Sequence, residues 1–233
     1  MEEFMTASFW LAVGQIIMID ILLGGDNAVV IALACRNLPP AQRKKGIIYG
    51  TAGAIILRVI LIAFALALLS IPYLKIVGAV LLLWIGVKLL VPEAEGDHNI
   101  SSSDKLWGAV KTVIIADLVM SVDNVLAIAG AAQGANEQHQ LPLVIFGLLV
   151  SIPIIIAGSQ LVLKLMERFP FIITLGAMLL GWIAGQMAYS DPAVKPYLPE
   201  SQFWSYATAA IGALLVLVLG KAIQARKKPL GAV

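Results

Sequence analysis

The chain has 233 residues, 60% of them hydrophobic and 13% charged, with a net charge of +2 and a mean hydropathy of +0.93. Soluble domains carry about 25% charged residues, so this composition excludes a water-soluble globular protein and implies an integral membrane protein. The basic residues fall in a few loops rather than forming a patch, which gives no nucleic-acid signal.

The acidic start, MEEFMTASFW, lacks the basic n-region of a cleaved signal, so the apolar run behind it is expected to remain in the mature protein. A bilayer core of about 30 Å needs about 20 apolar residues per helix, and such runs fall at about 9–34, 46–70, 71–91, 107–133, 142–165, 170–190 and 203–223. The breaks are RNLPPAQRKK, Pro72, the polar EAEGDHNISSSD, GANEQHQLP, Pro170 and DPAVKPYLPES. Cys35 is the single cysteine, which excludes an intramolecular disulfide and a thiolate metal cluster.

Orientation follows from the loop lysines and arginines. With the N-terminus outside and the C-terminus inside, thirteen of the 16 basic residues lie in inner loops and the tail. Lys75 and Lys195 lie outside, and Arg58 sits in the middle of the second span. In this topology the sequon at Asn99 is cytoplasmic and carries no glycan.

The first and fourth runs share a pattern. DILLGGDN and DLVMSVDN both read Asp-x5-Asp-Asn, and at an offset of 97 Asp20, Asp26 and Asn27 fall on Asp117, Asp123 and Asn124. IIYG (47–50) falls on VIFG (144–147); after one inserted residue Pro72, Gly78 and Trp84 fall on Pro170, Gly176 and Trp182. This is a duplicated three-helix unit, and an odd number of crossings turns the second copy upside down, a recurring transporter design. The expected fold is an all-α membrane protein of seven transmembrane helices: two inverted three-helix repeats plus a C-terminal helix. The expected segments are a first repeat (1–92), a polar cytoplasmic linker (93–106), the inverted repeat (107–190), and a seventh helix with a basic tail (191–233).

An intramembrane aspartate costs about 2.5–3.5 kcal/mol on insertion scales. Asp20, Asp26, Asp117 and Asp123 therefore demand compensation that one arginine cannot supply, which argues for a site rather than for helix glue. At 100° per residue, Asp20, Gly24 and Asn27 share a face, as do Asp117, Ser121 and Asn124, whereas Asp26 and Asp123 lie about 120° away from their first acids. Either each helix is regular and lines a polar cavity, or it breaks near Gly24-Gly25 and Ser121-Val122 and frees carbonyls for a cation. The donors are all oxygen, which suits Mg²⁺, Ca²⁺ or Mn²⁺ better than Zn²⁺ or Cu⁺. His98 and His139 fall between spans and read as solvated loop residues. Lys88 reads as a snorkelling residue; Ser159 and Gln160 either line a path or bond across helices. Arg58, whose counterpart Ile155 is apolar, breaks the symmetry and is a candidate counter-charge.

GGDNAVVIA and ADLVMSVDNVLAIAG resemble the two repeat motifs of the TerC family of integral membrane proteins, named for tellurium resistance and related to LysE-like exporters. The resemblance covers most of the chain. It implies a seven-helix bundle of inverted repeats in a bacterial plasma membrane, no enzymatic activity, no organic cofactor, and export of manganese(II) as bound substrate. By motif position it implies Asp20, Asp26, Asn27, Asp117, Asp123 and Asn124 as the cation site. Closely spaced carboxylates resist full ionisation, so protons are expected as a second partner, exchanged for the metal on release. Two other readings remain open: a non-transporting partner in membrane-protein assembly, and an intramembrane aspartyl protease, against which the LGG before Asp26 argues.

Overall fold

A computed structural model describes residues 7–64, 71–91, 101–132 and 137–227. Among them are seven α-helices and no strand: α1 (Ala7–Cys35), α2 (Pro40–Ala63), α3 (Leu74–Leu90), α4 (Ser102–Ala132), α5 (Glu137–Arg168), α6 (Phe171–Tyr189) and α7 (Gln202–Lys227), with a 3-10 turn at Lys195–Tyr197. Most of the linker, with His98 and Asn99, lies outside the described residues.

Local chemistry sets several of the helix starts. Pro40 opens α2 at a first-turn position where its missing N–H costs nothing. Ser101 Oγ accepts the Asp104 N–H at 3.1 Å and donates to Asp104 Oδ2 at 2.7 Å, closing the first turn of α4. Two expected breaks are thereby corrected: α4 begins inside the 93–106 linker, and α5 begins at Glu137, so His139 and Pro142 lie in a helix rather than a loop. Pro142 and Pro153 each remove one bond from the α5 ladder, a local loss that a 32-residue helix tolerates.

α3 opens differently. Its N-cap, Tyr73, has φ 67° and caps nothing with its own side chain, and a non-glycine residue there is strained. The cap comes from the far side of the chain. Asp191, just beyond α6, is fully buried and accepts the backbone N–H groups of Tyr73 (3.0 Å), Lys75 (3.0 Å), Ile76 (3.2 Å) and Ala193 (2.8 Å). Burial alone pushes this carboxyl up, but the four donors together outweigh it and hold it below the ordinary carboxylate range. Asp191 thus fastens the start of α3 to the end of α6.

Packing is reciprocal: α1 runs along α5, α2 along α4, and α1 also crosses α4. One core joins α1, α2, α4 and α5 through Leu33, Ile47, Val113 and Leu163. A second joins α3, α4 and α6 through Leu82, Ile85, Val119 and Leu180, and takes Val30 from α1. The two motif helices therefore belong to both cores. α7 lies on α6 and α3, and backbones approach closely there: a Cβ on Gly185 would sit 2.1 Å from Thr208 O, and one on Gly181 2.3 Å from Gly212 O.

The outer surface is apolar, with Ile56, Ile60, Leu149, Leu161, Ile211, Leu214 and Val218 exposed. Water would reject such a surface and lipid accepts it. Four helices are long and apolar enough to cross a bilayer, over Pro40–Ile62, Val144–Arg168, Phe171–Tyr189 and Gln202–Arg226. The chain is a multi-pass, all-helical membrane protein. The other three expected spans are not among these four: α3 has 17 residues, short of the roughly 20 a bilayer needs, and of α1 the stretch described with its side chains, Gly25–Cys35, is apolar but shorter than a span.

Candidate cation site

The motif helices are continuous. α1 runs unbroken through Gly24-Gly25 and α4 through Ser121-Val122, so the regular-helix alternative holds and main-chain carbonyls are not freed. Gly25 is exposed, and a Cβ there would meet nothing within 4 Å. The site must therefore be built from side chains.

Its best-defined part is the second motif. Asp117 and Ser121, one turn apart on α4, share a face, and Ser121 Oγ donates to Asp117 Oδ2 at 3.1 Å. Arg58 reaches both from the middle of α2: one terminal nitrogen, Nη2, lies 2.5 Å from Asp117 Oδ1, and Nε donates to Ser121 Oγ at 3.0 Å. Arg58 is 2% exposed, Asp117 6% and Ser121 0%, so this ion pair is sealed from solvent and costs desolvation that only close geometry repays. The α2–α4 seam allows that reach because Gly50 and Gly53 face Val113 and Ile114 of α4 at distances a side chain would close.

The first motif meets it from α1. Asp26 is half-buried and accepts the Asn27 N–H at 2.9 Å. Its helix, α1, crosses α4, which carries Asp117. Asn27 is 3% exposed, and neither its amide nitrogen nor its amide oxygen has a hydrogen-bond partner among the described residues. A buried polar group left so costs about 1–3 kcal/mol. Thr51 is equally buried with its hydroxyl unpartnered among the described residues; seven residues before Arg58, it projects within about 20° of it on α2. In the sequence, only its place one heptad before the mid-span Arg58 marks Thr51.

Asn124 is half-buried on α4. Asp20, Gly24 and Asp123 lie on the motif helices outside the described side chains. Among the described residues no three of His, Cys, Asp or Glu form a metal-holding group. Of the other polar residues, Ser159 donates to Ile155 O of its own helix at 2.8 Å, and Lys88 lies 5.1 Å from the Trp84 ring centroid.

A cavity of about 300 Å³ opens where α1 and α3 end and α4 begins, lined by Leu33, Asn37, Lys88, Asp104, Lys105 and Thr112 among others. From Thr112 to Asp117 is five residues of α4, about 7.5 Å of rise. From Leu33 to Asn27 is six residues of α1, about 9 Å. The cavity thus ends within about two turns of the motif residues.

Comparison with known proteins gives a consistent picture. The family model described as "Integral membrane protein TerC family" matches residues 5–228. The "Uncharacterized membrane protein YjbE" of Bacillus subtilis (strain 168) is 43% identical over 185 residues, covering 79% of this chain and 82% of that one. The "Uncharacterized membrane protein YceF" of the same organism is 30% identical over 217 residues, covering 89% and 81%. The "UPF0053 inner membrane protein YgdQ" of Escherichia coli (strain K12) is 22% identical over 222 residues, covering 87% and 91%. No solved structure matches.

Proposed function

This chain belongs to the TerC family of integral membrane proteins, and we propose that it exports a divalent metal cation, manganese(II), through a site formed where its two Asp-x5-Asp-Asn elements meet. The observation that supports this reading is that α1 and α4, which carry the two elements, cross inside the bundle, with Asn27 of the first and Asp117 of the second both buried. Acidic and amide side chains held in an apolar protein are costly, and a bound cation would offset that cost beyond what Arg58 supplies to Asp117. Asn27 and Thr51 supply buried neutral oxygens without protein partners among the described residues. Oxygen-only donors are the chemistry of Mn²⁺, Mg²⁺ and Ca²⁺. Asp20, Asp123 and Asn124 complete the donor set by motif position.

Seven spanning helices in two inverted units, 1–92 and 107–190, form the architecture of this proposal. Two features support it. Each unit's first helix runs along the other unit's second, α1 with α5 and α2 with α4. The matched glycines Gly78 and Gly176 each abut the motif helix of the opposite copy, through Val119 and through Val29 and Leu33 respectively. With the N-terminus outside the plasma membrane, the cavity beneath Leu33 and Thr112 faces the cytoplasm and serves as the entrance. Arg58 holds Asp117 as an internal counter-ion, and an arriving metal takes Asp26 and the unpartnered oxygens before it draws Asp117 away. Proton uptake by the clustered acids releases the metal.

Binding tests the site directly. Mn²⁺ in water gives a six-line electron paramagnetic resonance signal that falls when the ion is bound. Purified wild-type protein should quench it stoichiometrically, and Asp26→Asn should weaken the binding at least tenfold while the protein stays monodisperse. Equal quenching by the two proteins would remove Asp26 from the site.

A further inference from the structure

We infer that the groove between the start of α2 and the end of α5 is a binding site for the phosphate headgroup of an anionic phospholipid, independent of any transported cation. The place follows from the two helices themselves. One apolar span begins at Pro40 and another ends at Arg168, so the groove between these ends lies at headgroup level, where hydrocarbon gives way to water. There the two helices enclose a cavity of about 270 Å³.

Its floor is apolar, formed by the buried Ile47 and Leu163, and its rim is basic. Arg43 is already committed: its Nε donates to Leu38 O at 3.0 Å and its guanidinium pairs with Glu167. That pair neutralises the single acid of the groove and fixes one wall. Lys44 and Lys164 remain, both exposed, and neither has an acidic partner among the described residues. The cavity therefore carries a formal excess of two positive charges, one from each helix, while the opposed dipole ends of α2 and α5 that meet there offset each other.

A basic pocket between spanning helices at headgroup depth is complementary to a phosphodiester whose acyl chains continue along lipid-facing helices. A zwitterionic lipid brings its own cation into the same space and is disfavoured. A soluble phosphate has the charge but gains nothing from the apolar surround, so the lipid is the fitting occupant.

The test uses full-length protein purified in mild detergent and stripped of lipid. Binding is measured by titrating phosphatidylglycerol or phosphatidylcholine in mixed micelles, with sodium phosphate as a separate arm. Wild-type protein should bind phosphatidylglycerol in preference to phosphatidylcholine. Lys44→Gln/Lys164→Gln, which changes only exposed side chains, should bind it roughly thirtyfold less well, as expected for two lysines at an anionic surface. Lys221→Gln/Arg226→Gln removes the same charge from exposed positions on α7 and should leave binding unchanged. Equal binding by wild type and the Lys44/Lys164 variant would overturn the site. So would an equal loss in the α7 variant, which would mean diffuse attraction, or full competition by inorganic phosphate, which would mean a soluble-anion site.

Discussion

Arg58 and Asp117 form the buried pair on which the centre of the molecule depends, and each is expected to fail without the other. Arg58→Leu leaves a carboxylate unpaired in the interior, a loss of about 3–5 kcal/mol, so thermal unfolding in detergent should shift strongly downward. Arg58→Leu/Asp117→Leu replaces the pair by apolar groups and should recover most of that stability without recovering Mn²⁺ binding. A double variant no more stable than the single one would show that the two residues do not act as a pair. Asp191 provides a pH-dependent case. Its carboxyl is held below the ordinary range in the folded state, so its contribution is complete above the unfolded value, about 3.9, and is lost as pH falls through the lower folded value. Asp191→Ala should cost about 2 kcal/mol at neutral pH, the upper end for a helix cap. The gap from wild type should close in strong acid; a gap that persists there would assign the loss to packing. At this scale the sequence told much about Asp26 and Asp117, because charge in an apolar run is conspicuous. It told little about Asp191, whose partners at the start of α3 lie more than a hundred residues away and are backbone groups that no residue type announces.

Among the helices, the α6–α7 contact is the tightest, and small residues make it so. Gly185→Ala places a Cβ against backbone atoms of Thr208 and Ala209 that cannot rotate aside. It should therefore cost about 1–3 kcal/mol as an overpacked contact, read as a fall in melting temperature. Gly25→Ala is the control within the motif. Its Cβ meets nothing, α1 is helical through that point, and alanine is the better helix former by about 0.5–1 kcal/mol, so stability should hold or rise. A large loss at Gly25 would show that the helix must open there, contrary to the continuous helix described. The helices were legible as apolar runs, and the repeat as a fixed offset. Their ends were not, because Ser101 and Asp104 restart a helix inside a polar stretch and Pro142 fails to stop one. The sequence also left helix continuity at Gly24-Gly25 open: two glycines permit a break, but only packing on both cores decides against one.

The whole molecule is a bundle whose lipid-facing surface is apolar and whose acidic motif helices sit centrally, between two cores. The composition foretold the membrane, and the duplicated motif singled out polar residues of which the structure describes Asp26, Asn27, Asp117 and Asn124. The pairing of α1 with α5 and α2 with α4 was not foretold, because contacts between copies leave no mark in the spacing within either copy. The central claim is that the two motifs jointly move a divalent cation, and flux across a sealed membrane tests it most directly. Purified protein in liposomes carrying a Mn²⁺-quenched dye and a pH dye should transport Mn²⁺ with a counterflow of protons. Asp26→Asn and Asp123→Asn should each abolish the flux at unchanged protein content. Mn²⁺ movement in wild type without proton movement would make the pathway passive, and undiminished flux in both variants would contradict the account.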